Sequence, residues 1–306
     1  MALYMTNVAM LSAQRNMSEI QSALTTSYQR LSSGKRINSA KDDPAGFQIA
    51  SRLSSEINGL YQANRNANDA IGVMQTAEGA LDEVKNMLQR IRSLALQSAN
   101  GTNTSQTRKA LNSEVSQLCD EITRIACQTT FGGAHLLNGT ANVSGGATLV
   151  NSRGKLTFHI GANAYDTISV NNFSCGFTMS GIAQMQQLTL TSGMGLVFDQ
   201  QTGGFRFSIS TADNAEKAVL GIDKFISQIG QSQGDLGATQ NRMESVIRIN
   251  ENVRVSLTDA RSRIEDTDYA EEAANLAALT IRQQVVAMMM QRIMQSQNII
   301  LQLLQF

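Results

Sequence analysis

Side chains that commonly carry catalysis or bind metals are sparse in this chain of 306 residues. Its two histidines, His135 and His159, lie far apart in a glycine-rich stretch. A helical zinc-protease motif requires two histidines four residues apart with a glutamate between them. The sequence has no such arrangement, and it therefore predicts no enzyme activity, no catalytic residue, no metal site and no cofactor.

An acidic cluster late in the chain is the second candidate for chemistry. It contains Glu265, Asp266, Asp268, Glu271 and Glu272. Carboxylates bind Ca²⁺, but a calcium loop also needs a glycine at its sharp turn and oxygen ligands at fixed spacings. This segment lacks both features, and we predict a solvated acidic face instead of a calcium site.

The three cysteines, Cys119, Cys127 and Cys175, are odd in number and have no recurring spacing. They therefore do not form a disulfide framework. Cys119 and Cys127 fall on one predicted helix, about 12 Å apart along its axis at 1.5 Å per residue, which is too far for a bridge. We predict buried thiols that act as small apolar side chains, with their redox state left open.

Charge and hydropathy exclude two classes of function. Lys+Arg and Asp+Glu are both 25, whereas a nucleic-acid-binding protein usually shows a basic stripe. No run of eighteen apolar residues exists, so no membrane-spanning helix is predicted. The last helix contains only two basic residues, Arg282 and Arg292, and it lacks the basic face of a membrane-surface helix. The N-terminus does not resemble a cleaved signal peptide, because no basic start precedes an apolar block.

Apolar residues recur every seven positions near both ends of the chain, in two rows that we call the arm seams. The first seam contains Leu3, Met10, Met17, Leu24 and Leu31, with Ile20 beside it. The second contains Leu276, Leu279, Val286, Met290, Ile293, Ile300 and Leu304. A seven-residue repeat is typical of a narrow seam that packs against another helix. Neither arm can bury its seam alone, so the arms must pair with each other or with other chains.

Helix start and stop signals define the elements between the seams. The predicted helices cover residues 3–33, 44–99 and 105–128. Gly34 is a left-handed cap for the first helix. Asp43 caps the start of the second, and Pro44 occupies its first turn. The second and third helices are joined by a short loop and are therefore expected to be antiparallel.

The central region alternates apolar and polar residues between glycines and asparagines, which indicates β-hairpins. The predicted fold is mainly α: a long antiparallel helical rod or coiled coil formed by both chain ends, with a small β-rich subdomain in the middle. The predicted domains are an N-terminal coiled-coil arm and connector (1–43), the N-terminal half of the rod (44–130), the β-rich variable subdomain (131–211), the C-terminal half of the rod (212–270) and a C-terminal coiled-coil arm (271–306).

Several long segments of the sequence resemble bacterial flagellin. They are LSSGKRINSAKDDPAGFQIASRL at 31–53, ANDAIGVMQTAEGALDEVKNMLQRIRSLALQSANGT at 67–102 and TQNRMESVIRINENVRVSLTDARSRIEDTDYAEEAANL at 239–276. FHIGANAYDTISV at 158–170 is similar to the first β segment of the family. The short middle implies a short form with a small variable region. The methionine-rich last arm departs from the alanine- and glutamine-rich ending that is usual in the family.

The resemblance implies a structural subunit that polymerises into the flagellar filament for motility. It implies export in the unfolded state through the type III flagellar apparatus, without a cleaved signal peptide, and an extracellular location in the filament. The implied partners are copies of the same chain, the flagellar cap and hook–filament junction proteins, and a cytoplasmic export chaperone on the C-terminal arm. The alternative is the hook–filament junction protein itself, a flagellin-like relative that ends an assembly instead of propagating it.

The resemblance also implies a surface for innate immune recognition. In the family, the stretch LQRIRSLALQSAN contains part of the surface sensed by a host Toll-like receptor. The matching residues here are Gln89, Arg90, Leu94 and Glu114. Ser93 stands where an acidic residue is common. We expect the soluble monomer to bind the receptor, while the same residues pack subunits together in a filament.

Overall fold

The computed structural model describes residues 8–140, 147–171, 173–186, 194–199 and 204–304, apart from the side chains of residues 199 and 297–304. Leu3 of the first seam lies outside the described residues. The side chains of Ile300 and Leu304 in the second seam also lie outside them.

The described residues form six helices and six short strands. The helices are α1 (Val8–Ser33), α2 (Pro44–Ala99), α3 (Ser105–Gln128), α4 (Met179–Met185), α5 (Ala212–Glu265) and α6 (Tyr269–Leu304). The strands are β1 (Thr130–Phe131), β2 (Ala134–His135), β3 (Leu156–His159), β4 (Thr167–Val170), β5 (Leu196–Asp199) and β6 (Gly204–Phe207). The chain divides into two compact units, one of Met1–Ile57 with Arg254–Phe306 and one of Asn58–Val253, which we call the arm unit and the central unit.

The predicted helix boundaries are confirmed where capping residues define them. The carboxylate of Asp43 accepts hydrogen bonds from the main-chain N–H groups of Ala45 (3.1 Å) and Gly46 (3.0 Å) at the start of α2. Gly34 has a φ of 71° and donates its N–H to the carbonyl of Arg30 just after α1. A residue without a Cβ adopts this left-handed conformation at little cost, so α1 ends there.

In the arm unit, α1 packs along α6 in the antiparallel direction. Arg30, near the end of α1, lies 3.6 Å from Glu272 in the first turn of α6. Ile20, earlier in α1, lines the same cavity as Val286, further along α6. The described members of both seams are buried or half-buried, and Leu24 is only 6% exposed. Within one chain, the two arms are therefore partners of each other.

In the central unit, α2 and α5 run antiparallel. Gln240 on α5 donates a 3.0 Å hydrogen bond to Glu78 on α2. Further along the pair, Arg92 on α2 lies 2.7 Å from Asp223 on α5. The core around these helices and α3 contains the fully buried side chains Met74, Leu81, Leu88, Ile91, Ile122, Phe225, Leu236 and Met243.

Three antiparallel strand pairs complete the described part of the central unit. They are β1 with β2, β3 with β4 and β5 with β6. In the second pair Leu156 lies opposite Val170 and His159 opposite Thr167. The predicted hairpin segments thus form β3, β4 and β6. The seven-residue helix α4 was not predicted, since one to two turns are too short to display a helical period.

Candidate functional site: surfaces for assembly

The arm helix α6 has a second apolar face beside the seam, and two of its residues, Ile281 and Val285, also line a cavity with Ile20 of α1. Ile281, Val285, Met288 and Met289 are 60%, 42%, 58% and 59% exposed. Their spacing of four, seven and eight residues places them on one side of a helix. We call these four residues the outer face of α6. The sequence analysis identified only the seven-residue seam and missed these four residues. The run of methionines at 288–290 was a signal that could have indicated them. Contiguous exposed apolar surface on soluble proteins commonly marks interaction sites.

The connectors that follow α1 and α5 are joined by main-chain hydrogen bonds in the arm unit. The N–H of Arg36 donates to the carbonyl of Glu265 at 2.6 Å, and the N–H of Thr267 donates to the carbonyl of Gly34 at 3.0 Å. The ammonium group of Lys35 lies 2.6 Å from the carboxylate of Glu265. We call these contacts between residues 34–36 and 265–267 the connector clasp, which joins the end of α1 to the end of α5.

Asp42 organises the loop between α1 and α2. One of its carboxylate oxygens accepts hydrogen bonds from the N–H groups of Asn38 (3.1 Å) and Ser39 (3.0 Å). These two bonds stabilise the ionised carboxylate and lower the pKa of Asp42 below its ordinary value.

The acidic cluster is only partly the solvated face that we predicted. Asp268 does cap α6, and it accepts from the N–H groups of Ala270 and Glu271. Glu272, however, is 8% exposed and faces Arg30. Glu265 is tied to Lys35 in the connector clasp. No group of three potential metal ligands occurs among the described residues. The prediction of a solvated face is therefore wrong for Glu265 and Glu272, because tertiary contacts with basic residues cover them.

The residues expected to form a receptor surface lie on α2 and α3 of the central unit. The guanidinium of Arg90 forms a 2.8 Å ion pair with Glu114 and so links the two helices. Gln89 is exposed beside this pair. Leu94 is only 3% exposed and belongs to the core. The structure thus brings Arg90 and Glu114 together at the surface and places Leu94 beneath it.

All three cysteines are free thiols in different surroundings. Cys119 is buried, and this burial raises the pKa of its thiol to about 11. Cys127 is half-buried, its Sγ lies 3.5 Å from Oδ1 of Asn138, and burial raises its pKa as well. Cys175 is half-buried beside Ser174. The prediction of a buried apolar thiol is confirmed for Cys119.

His135 lies in β2 and His159 in β3, on two different strand pairs. Within the described ranges, no helix combines the length and the hydropathy needed to cross a membrane.

Comparisons with known proteins agree with this architecture. Residues 5–142 match the family described as the bacterial flagellin N-terminal helical region, and residues 219–304 match the bacterial flagellin C-terminal helical region. The chain is 35% identical to polar flagellin F of Vibrio parahaemolyticus, over 98% of both sequences. It is 33% identical to flagellin D of Vibrio cholerae, again over 98% of both sequences.

Among solved structures, a flagellar hook-associated protein from Vibrio parahaemolyticus superposes with a TM-score of 0.52 and 16% identity, covering 74% of this chain and all of that one. This likeness concerns the fold alone. The flagellin relatives, in contrast, match across nearly their whole lengths at about twice that identity. The chain therefore belongs to the bacterial flagellin family and is a structural subunit of the flagellar filament.

Proposed function

We propose that the outer face of α6 joins copies of this chain inside the filament. The observation that carries the proposal is the exposure of four large apolar side chains on a helix whose seam already contacts α1. Burying such side chains contributes roughly 1.5–3 kcal/mol each. A helical polymer would bury this face against neighbouring arms, with the seams holding each arm pair together.

The test is elongation of short filament seeds by purified monomer, followed by negative-stain electron microscopy and sedimentation. Met288→Lys places a charge in the outer face and is expected to abolish elongation while α1 and α6 still pair. Met288→Leu keeps an apolar side chain of similar size and is the matched control, expected to elongate normally. Normal growth of the Met288→Lys monomer would refute this role for the outer face.

The same experiment separates the filament subunit from the hook–filament junction protein. A propagating subunit produces long uniform filaments, whereas a junction protein leaves short capped stubs. The identity to flagellins across 98% of each relative favours propagation. Contacts with the flagellar cap and with the junction proteins would then occur at the two ends of the filament.

Export before assembly accounts for the other expected partner. The monomer would travel through the type III flagellar apparatus in the unfolded state, and it would act outside the cell in a structural and not a catalytic role. The outer face of α6 needs shielding in the cytoplasm, which supports binding of an export chaperone to residues from about 270 onward. A truncated chain ending near residue 270 should lose chaperone binding in a pull-down, and retention of full affinity would refute the assignment.

The Arg90–Glu114 pair, with Gln89 beside it, would form the surface that the host Toll-like receptor contacts. The burial of Leu94 supports a role in holding α2 in place beneath that surface. Pure monomer is expected to activate a receptor reporter cell, and assembled filament is not. Arg90→Ala should reduce activation with the fold intact. If wild-type monomer failed to activate the reporter cell, the receptor assignment would be wrong.

A further inference from the structure

We propose that Asn100, in the turn between α2 and α3, is a site of self-catalysed deamidation. The sequence contains three asparagines that directly precede a glycine, Asn58, Asn100 and Asn138. Glycine lacks the Cβ that would shield its main-chain nitrogen, so this nitrogen can approach the carboxamide of the asparagine before it. The three steps are alike in sequence, but the structure gives each of them different surroundings.

The reaction uses the chain's own atoms and water. The main-chain nitrogen of Gly101 loses its proton and attacks Cγ of Asn100. The new N–Cγ bond closes a cyclic imide, and the side-chain nitrogen takes up a proton and leaves as ammonia. Water then opens the ring at either carbonyl carbon, which yields aspartate or isoaspartate. In isoaspartate the main chain runs through Cγ, and the former main-chain carbonyl carbon becomes a free carboxylate.

The carboxamide of Asn100 is held over its own turn. Asn100 is exposed and follows the last residue of α2. Its Oδ1 accepts a 3.3 Å hydrogen bond from the main-chain N–H of Thr102. This oxygen gains negative charge when a nitrogen attacks Cγ, and a donor already directed at it stabilises that charge. Among the described residues, no atom beyond the two chain neighbours lies within 4 Å of the place where a Cβ of Gly101 would stand.

The peptide group that supplies the nitrogen is contacted by Arg108 of α3. The guanidinium of Arg108 donates to the carbonyl oxygen of Asn100 at 3.1 Å and to that of Ser98 at 2.8 Å. The N–H of Asn103 donates to the same oxygen of Asn100 at 3.3 Å. When Gly101 loses its proton, the negative charge is shared between its nitrogen and this oxygen. A cationic donor on the oxygen therefore favours the form that attacks.

The same reaction is hindered at the other two steps. Asn58 is exposed, but it lies inside α2, where the helical backbone commits the N–H of Gly59 to the carbonyl one turn earlier. Asn138 is 7% exposed, and its Oδ1 lies 3.5 Å from the thiol of Cys127. A Cβ at Gly139 would lie 2.4 Å from a main-chain nitrogen of another segment. Exposure alone therefore does not distinguish Asn100, whereas its turn does.

Deamidation would change the connection between α2 and α3. Loss of ammonia to water is one-way, so modified chains accumulate with the age of the molecule. In isoaspartate the new carboxylate stands at the carbon whose oxygen Arg108 contacts, and the main chain of the turn is longer by one atom. The inference concerns a single chain and is independent of filament assembly.

The first experiment is incubation of the purified monomer at pH 8, with peptide mass spectrometry at intervals. Asn100 should lose its amide about tenfold or more faster than Asn58 and Asn138, because only its reacting atoms are held in position. In denaturant the other two steps should accelerate, and Asn100 should not. Gly101→Ala, which has room for its methyl group, should slow the reaction at Asn100 about tenfold by crowding the nitrogen. Equal rates at all three steps in the folded monomer would overturn the proposal.

The second experiment tests the guanidinium. Arg108→Gln keeps a hydrogen-bond donor without the charge, and it should slow the reaction at Asn100 about tenfold in the folded monomer and not in denaturant. Arg108→Lys restores the charge and should recover most of the rate. Lys109→Gln removes the same charge from the next, exposed position and should react like the wild type. An unchanged rate in Arg108→Gln, or no recovery in Arg108→Lys, would show that the charge of Arg108 does not activate the peptide.

Discussion

The side-chain amide of Asn250 on α5 donates a 2.9 Å hydrogen bond to the main-chain carbonyl of Ile160 at the end of β3. In the sequence Asn250 interrupts an apolar row, and in the structure it is 8% exposed. Its polarity is therefore used to attach the β3–β4 turn to the longest helix pair of the central unit. Asn66 attaches the same turn from α2. A small β-hairpin is marginal alone, and these two amides explain why its turn keeps a defined position.

Removing the Asn250 amide should destabilise the central unit. Asn250→Ala leaves the carbonyl of Ile160 without its partner, and we expect a loss of about 1–3 kcal/mol in the free energy of unfolding. Urea denaturation followed by circular dichroism measures the effect. Asn241→Ala is the matched control, because Asn241 is exposed on the same helix and the gain in helix propensity is equal. Equal stability of the two variants would contradict the role of Asn250.

The thiols should differ in reactivity in the folded chain. With a pKa of about 11, only about one molecule in a thousand has Cys119 as thiolate at pH 8, and burial also blocks access to it. Iodoacetamide labelling followed by peptide mass spectrometry should therefore modify Cys175 well before Cys119. In denaturant all three cysteines should react at similar rates. Labelling of native Cys119 as fast as Cys175 would show that its surroundings are open.

The Arg90–Glu114 pair and Leu94 should respond very differently to truncation. Both charged side chains are largely exposed, so Glu114→Ala should cost less than about 1 kcal/mol, and the cost should fall further with added salt. Leu94→Ala removes a buried side chain and should cost about 2–5 kcal/mol. Thermal denaturation distinguishes the two. A receptor assay of Leu94→Ala is informative only after this stability measurement.

Asp42 should make the arm unit sensitive to acid. Its folded pKa is lower than its unfolded value, so its contribution is present above the unfolded pKa and is lost as pH falls through the folded pKa. The stability advantage of the wild type over Asp42→Asn should therefore shrink as pH falls below about 4. Melting curves between neutral and acid pH measure this difference. A difference that is constant across this range would mean that the charge of Asp42 does not matter.

Local signals explain which parts of the fold were predictable. Gly34 and Pro44 define helix ends by their backbone preferences, and Asp43 does so by its side-chain cap, so the boundaries of α1 and α2 followed from the sequence. The pairing of α1 with α6 was expected only as one of two alternatives, because a seven-residue seam specifies a helical partner but not which one. Glu272 was misjudged for a similar reason: only the approach of Arg30 from another helix determines that a carboxylate in a polar stretch is buried.

Some of the candidate surfaces could likewise be predicted from the sequence, and others could not. The residues of the arm seams were visible as a repeat, and their burial follows from it. The outer face of α6 and the exposure of Tyr165 depend on what the rest of the chain leaves uncovered. Tyr165 lies inside a segment that resembles the family, but a tyrosine in a sequence does not predict a left-handed backbone conformation.

The antiparallel contact of α1 with α6 also determines when the arm unit can fold during translation. The ribosome makes α1 early, but its partner in the arm unit is made only after α5 is complete. Contacts between such distant parts of a chain form slowly, because a long loop must close first. The arm unit is therefore the last part of a nascent chain that can fold, and for most of translation the apolar row of α1 has no partner within the chain.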